Sequence, residues 1–259
     1  MAKKPVVVIG IGEMGSVFAR GLLRLGHPVY PVNRDSDMSK LARALPAPQL
    51  VLVAVAEAEL ASVLKNVPKV WRTRLALLQN ELLPADYSQL DDVTVISVWF
   101  EKKKGQDSKV IIPSPAYGPR AKLLARALGT LEIPVKRVKR ARDMRFELVV
   151  KNLYILTSNI AGLRTGGTVA ELWAEHQSFA RAVANEVIAL QEGLTGASFD
   201  NDDLVAAMVE AFEGDPDHRC MGRSAPARLA RALQHADRLD ISLPTLREIA
   251  AAQTLQGVG

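Results

Sequence analysis

Apolar and polar positions are arranged in two different ways along this chain. Up to about residue 140, short runs of β-branched and aliphatic residues alternate with segments whose apolar positions recur every three or four residues. From residue 143 only the second kind remains. Pro5-Val6-Val7-Val8-Ile9 is the first short run, and 16–26 follows as a helix with Val17, Leu22 and Leu25 apolar and Arg20 and Arg24 polar. Residues 28–32 close the unit as a second strand. The run 49–55 is apolar throughout, the look of a parallel strand buried on both faces. Residues 57–64 read as a helix with acidic residues in its first turn. Strands are expected at 74–78, 93–99, 109–113 and 134–138, and a helix at 116–128. Alternation of this kind predicts an α/β architecture with an open, doubly wound parallel sheet.

Beyond that point the pattern predicts helices at 143–163, 169–194, 201–212, 226–239 and 243–254, with Gly and Pro punctuating their ends. The organisation is therefore an N-terminal sheet domain over 1–141 and an all-helical C-terminal domain over 142–259.

Between the first strand and its helix lies Gly10-Ile11-Gly12-Glu13-Met14-Gly15. In a strand–turn–helix context each glycine has a physical task, and the unit reads as a Rossmann-type dinucleotide site. Gly10 permits the tight turn, Gly12 lets the backbone approach a pyrophosphate at the helix N-terminus, and Gly15 lets helix and strand pack closely. Ile11, Glu13 and Met14 fill the loop and enter the same site. The second strand ends Val32-Asn33-Arg34, without the acid that accepts hydrogen bonds from a ribose 2′-hydroxyl. Arg34 can pair with a 2′-phosphate through its planar fork, so the reading is NADP(H) over NAD(H). Asp35 comes one residue late and, with Ser36, reads as the N-cap of the next helix.

Composition narrows the class. The 259 residues are 48% hydrophobic and 24% charged, as in a globular protein, and the net charge of +5 suits anionic ligands. The densest basic cluster, 136–142, has no interleaved aromatic residues, which argues against nucleic acid and for a solvated linker before a helix. Cys220 is the only cysteine, so no intrachain disulfide is possible, in keeping with a reducing cytosol. Lys3 and Lys4 precede an apolar run that Glu13 interrupts, which fits the glycine loop and not a signal peptide. With no uncharged apolar stretch long enough to cross a bilayer, a cytoplasmic location is expected. The four histidines show no metal spacing, and no metal is expected.

The segment 143–163 is the second informative one. Twelve consecutive uncharged residues separate Lys151 from Arg164. Phe146, Val149, Leu153, Leu156 and Ile160 define one apolar face, while Leu148, Lys151, Ile155, Asn159 and Gly162 share the other, so the helix reads as buried on most sides. A lysine there either snorkels to water or is held for a purpose. A partly desolvated lysine can donate a proton or polarise a carbonyl near neutral pH. Asn159 lies two turns further on the same side, about 12 Å along the axis. Asn80, just past a strand's carboxyl end, sits where ligands bind in such sheets, although Asn is also common in turns.

These motifs resemble those of the ketopantoate reductase (2-dehydropantoate 2-reductase) family, within the group that includes 6-phosphogluconate and β-hydroxyacid dehydrogenases. The resemblance covers most of the chain: the glycine loop, Asn33-Arg34, Leu77-Leu78-Gln79-Asn80, the run from Lys151 to Asn159, and His218-Arg219-Cys220-Met221 ahead of Arg238-Leu239-Asp240-Ile241-Ser242-Leu243-Pro244. It implies that Lys151 protonates and polarises a substrate ketone while NADPH delivers hydride. It also implies that Asn80 and Asn159 orient cofactor and substrate, that Arg34 holds the 2′-phosphate, and that Cys220 stands where a serine binds the substrate carboxylate. Departures accompany it. The asparagine one turn after the lysine is Ile155, the His-Asn-Gly after the fourth strand is Gln79-Asn80-Glu81, and a lysine after the third strand is Ala56. The late glutamate has no counterpart, since 222–239 contains no Glu. A site that loses such groups should lose selectivity for ketopantoate.

Arg219, Arg223, Arg228 and Arg231 offer another way to bind a carboxylate. Arg223 is the one singled out, while Arg228 and Arg231 read as a solvated helix face. The leading expectation is an NADPH-dependent reductase of a small 2-keto acid or related carbonyl. A non-catalytic NADP-binding regulator and a reductase or dehydrogenase of imines or hydroxy acids are the alternatives. The apolar helix faces either close the chain's own core or form a homodimer.

Overall fold

The computed structural model describes residues 3–256. Five parallel strands begin the fold: β1 (Val6–Ile9), β2 (Val29–Val32), β3 (Leu50–Val53), β4 (Leu75–Leu77) and β5 (Thr94–Ile96). Every residue of β1 and β3 is buried, as β-branched and aliphatic runs require when both faces of a sheet are covered. The helix α1 (Glu13–Arg24) packs Val17, Phe18 and Leu22 against this core. It starts in the glycine motif itself, three residues earlier than the apolar spacing indicated.

After β5 the chain departs from an all-parallel sheet. β6 (Phe100–Glu101) and β7 (Lys109–Val110) pair with each other as a separate antiparallel hairpin. The next strand, β8 (Ser114–Tyr117), runs antiparallel to β5, and β9 (Val135–Arg137) continues parallel to β8. The sheet order is β2-β1-β3-β4-β5-β8-β9. The strand expected at 109–113 thus belongs to the hairpin. The first residues of the helix expected at 116–128 belong to β8. Gly118 and Pro119 then turn the chain into the real helix, whose bounds are Ala121–Gly129.

Smaller corrections follow from local hydrogen bonding. The cap of the helix Met38–Ala44 is Asp37, whose side chain accepts from the Lys40 amide, while Ser36 Oγ turns back to accept from the Asn33 amide. The segment expected as one helix at 57–64 is a single 3₁₀ turn, Glu57–Glu59, followed by the helix Leu60–Asn66.

The long helix Ala141–Thr165 follows, and the chain divides into two compact units between Glu147 and Leu148, within that helix. The second unit is helical: Val169–Glu175, Gln177–Thr195, Asn201–Gly214, Ala225–Leu239 and Pro244–Gln256. The expected single helix over 169–194 is broken at His176, whose backbone (φ −127°, ψ 28°) leaves the helical region. Among the described residues, no helix is long and apolar enough to cross a membrane.

Candidate functional site

The glycine loop is tied to both neighbouring strands. The Gly10 amide donates to Val32 O at 2.9 Å, and the Ala54 amide donates to Ile9 O at 2.7 Å. Gly10 takes φ +91°, and a Cβ there would lie 2.7 Å from Ala54 O. A Cβ at Gly15 would lie 2.0 Å from Gly10 O, so the first and third glycines are demanded by the protein's own packing. Gly12 differs: a Cβ there would meet nothing within 4 Å. Its surroundings are open, and it is the N-cap of α1, whose first amides have no intrahelical partner.

That opening is part of a cavity of about 800 Å³, whose lining includes Gly10, Gly12, Asn33, Arg34, Glu59 and Ser62. Ile11 lines it as well and is exposed. The structure therefore gathers Gly10, Ile11, Gly12, Asn33 and Arg34 around one space. Glu13 and Met14, in the first turn of α1, lie outside its lining, Glu13 exposed and Met14 packed on the core. The fit to a dinucleotide is good: a volume of this size, an open helix N-terminus for a pyrophosphate, and a basic side chain at the second strand's end.

Asn80 sits beyond the carboxyl end of β4, on the same edge of the sheet as the glycine loop, but outside the cavity's lining. Its predecessor explains its placement. Gln79 is buried; its Nε2 donates to Val53 O at 2.8 Å and its Oε1 accepts from the Leu78 amide at 3.1 Å. The side-chain amide thus staples the end of β4 to the end of β3, and Asn80 emerges half-buried from that staple.

In the second unit the site is built on the helix Ala141–Thr165. Of residues 148–162, Lys151 alone is not buried. Its Nζ lies 5.4 Å from the centroid of the Tyr154 ring, a cation–π distance. Asn159 is 7% exposed, and its amide is committed at both ends. Nδ2 donates to Ile155 O at 2.8 Å, and Oδ1 accepts from Arg228 Nη1 at 3.1 Å. Ile155 is buried, so it contributes a carbonyl here and no polar side chain.

One turn later, Gly162 allows the 218–222 loop to press onto the helix. A Cβ at Gly162 would lie 2.7 Å from the Cβ of Cys220. The loop is pinned from its other side, where the Cys220 amide donates to Gly167 O and the Val169 amide to His218 O. Cys220 itself is wholly buried, and burial, helped by the charge of Glu171, pushes its thiol up to about 11. Its sulfur therefore keeps its proton at neutral pH. Arg223 follows in an exposed position.

No protein-family model matches the sequence, and no curated protein matches it. Solved structures do. The 2-dehydropantoate 2-reductase from Methylococcus capsulatus matches with a TM-score of 0.67 and 15% identity, over 98% of this chain and 97% of that one. A ketopantoate reductase from Ralstonia eutropha gives 0.65 at 18% identity, over 96% and 97% of the two chains. The Staphylococcus aureus ketopantoate reductase, described as dimeric, gives 0.65 at 16% identity, over 98% and 100%. This chain has the ketopantoate reductase fold.

Within the ketopantoate reductase fold, three charged residues stand beside the singled-out positions, and two of them, Glu59 and Lys102, are not among the candidates the sequence offered. Glu59 Oε1 lies 2.8 Å from Arg34 Nη2. Lys102, only 16% exposed, reaches from the residues following β6 to within 3.3 Å of Glu13 Oε2, and the Phe18–Phe100 ring contact holds that hairpin against α1. Arg228 is half-buried on Asn159, which corrects its reading as part of a solvated face. A signal for it was present. Buried Ala225, Leu229, Ala232 and Ala236 form a helical stripe, and Arg228 flanks it while Arg231 points further away.

Proposed function

We propose that the protein is an NADPH-dependent reductase of a small 2-keto acid or related carbonyl. The observation that carries this reading is the exposure of Lys151 amid buried neighbours. It is the one non-buried residue in a fifteen-residue stretch of helix (148–162), two turns from an asparagine amide held at both its oxygen and its nitrogen. A buried stretch of helix whose one half-exposed residue is a cation fits a proton donor better than a general solvated face.

In this reading Arg34 pairs with the 2′-phosphate, and the amides at Gly12 and the start of α1 take the pyrophosphate. NADPH, when bound, supplies the hydride. The Lys151 ammonium hydrogen-bonds to the carbonyl oxygen, withdraws electron density from it, and gives up a proton as negative charge develops there. Asn159, fixed by Arg228 and the Ile155 carbonyl, aligns the reacting group. Arg228 and Arg223 are the cations offered to a substrate carboxylate. Cys220, a buried and protonated thiol, shapes the loop beneath them. Asn80 is assigned to orienting cofactor and substrate at the edge of the sheet.

The test is dinucleotide oxidation with ketopantoate and a panel of other 2-keto acids. Lys151→Ala should cut turnover by at least about a hundredfold and leave NADPH affinity unchanged. Undiminished turnover in that variant would take Lys151 out of the mechanism. Tight NADPH binding with no turnover of keto acids, imines or hydroxy acids would favour a regulatory NADP-binding protein. Ile155 and the glutamate-free stretch 222–239 would belong to that reading.

A further inference from the structure

We propose that Glu59 is a specificity-determining residue of the dinucleotide site, an acidic counterweight to Arg34 that leaves the protein able to bind NAD(H) as well as NADP(H). The inference rests on reading the glycine-loop cavity as a dinucleotide site. The second strand leads into Asn33-Arg34, and its own acid, Asp35, comes one residue late on the same cavity wall. The acid that pairs with Arg34 arrives instead from the exit of β3. There the chain makes a single 3₁₀ turn, with the Glu59 amide donating to Ala56 O at 3.0 Å. The turn carries the Glu59 carboxylate to the Arg34 guanidinium, and both side chains line the same cavity as Gly12.

The two possible ligands meet this pair differently. A ribose 2′-hydroxyl can donate to a carboxylate oxygen while the ion pair stays intact. A 2′-phosphate needs the guanidinium fork, and it then lies within a few ångströms of a like charge on Glu59. Glu59 must swing away or be tolerated, and either way NADP(H) binds less well than Arg34 alone would allow. The pair can exchange partners readily, because the Arg34 side chain is 89% exposed and that of Glu59 42% exposed. Arg34 and Glu59 therefore act as opposing elements of one discriminator, an attractive and a repulsive contact at the same phosphate.

Equilibrium dissociation constants of NADPH and NADH test this without any substrate. They would be measured by titration calorimetry on the intact protein, its Glu59→Gln variant and its Arg34→Ala variant. An exposed pair of this kind shifts affinity by roughly twofold to fivefold. Glu59→Gln should tighten NADPH by about that factor and weaken NADH, raising the preference for NADPH. Arg34→Ala should lower that preference. A Glu59→Gln variant with the wild-type NADPH-to-NADH ratio would overturn the proposal and leave the dinucleotide site standing. Wild-type protein that binds neither dinucleotide would remove both.

Discussion

Cys220 shows how one side chain couples chemistry to stability. The folded chain holds its thiol proton up to about pH 11, whereas the ordinary value is 9.0, with burial the main cause and Glu171 the second. A group that binds its proton more tightly when folded stabilises the fold fully below the unfolded value, and that contribution disappears as pH rises through the folded one. Between about pH 9 and about pH 11 the wild-type denaturation midpoint should therefore fall more steeply than that of Cys220→Ala. Parallel pH profiles for the two proteins would mean that the thiol is not desolvated. The contact with Gly162 fixes how the thiol is buried, because any side chain at 162 would drive the loop outward.

The helix Pro244–Gln256 owes its start to a neighbour. Its first free amides, on Thr245 and Leu246, donate to the two oxygens of Glu186 at 2.7 and 2.9 Å. Glu186→Ala should lower stability by about 1–2 kcal/mol, the scale of a lost helix cap, seen as an earlier urea midpoint. A variant as stable as wild type would show that water replaces the carboxylate. This cap was not legible in the sequence, because Glu186 lies far along the chain and ordinary capping signals are local. The same limit hid β8: Ser114-Pro115-Ala116-Tyr117 has neither β-branched residues nor a clean alternation, and only pairing with β5 and β9 makes it a strand. β1 and β3 were legible because burial on both faces writes itself as unbroken apolar runs. The break at His176 uses neither Gly nor Pro, so nothing in the apolar spacing announced it. For the candidate site, glycine spacing and helical periodicity were enough to single out Gly10, Gly12, Gly15, Lys151 and Asn159. Glu59, Lys102 and Arg228 depend on which distant segment faces them.

The molecule as a whole carries a net charge of +5, and its glycine-loop cavity opens beside Arg34. Affinity for a polyanion should then depend on salt. Raising ionic strength from about 0.1 M to about 1 M shortens the screening length from about 10 Å to about 3 Å. NADPH should lose more affinity than NADH over that range, since it has the additional phosphate to screen. Equal losses would place the 2′-phosphate away from Arg34. A different property follows from the strand order. An open sheet has two unpaired margins, and such margins invite other chains to add a strand. Here they are β2 and β9. The carbonyls of Pro28 and Val32 face β1, so the alternation of a strand turns residues 29 and 31 outward. Residue 31 is a proline without an amide hydrogen, which leaves an arriving strand only the Val29 donor. At the other margin it meets the exposed cations Lys136 and Arg137. Both margins thus resist the edge-to-edge stacking through which open sheets aggregate.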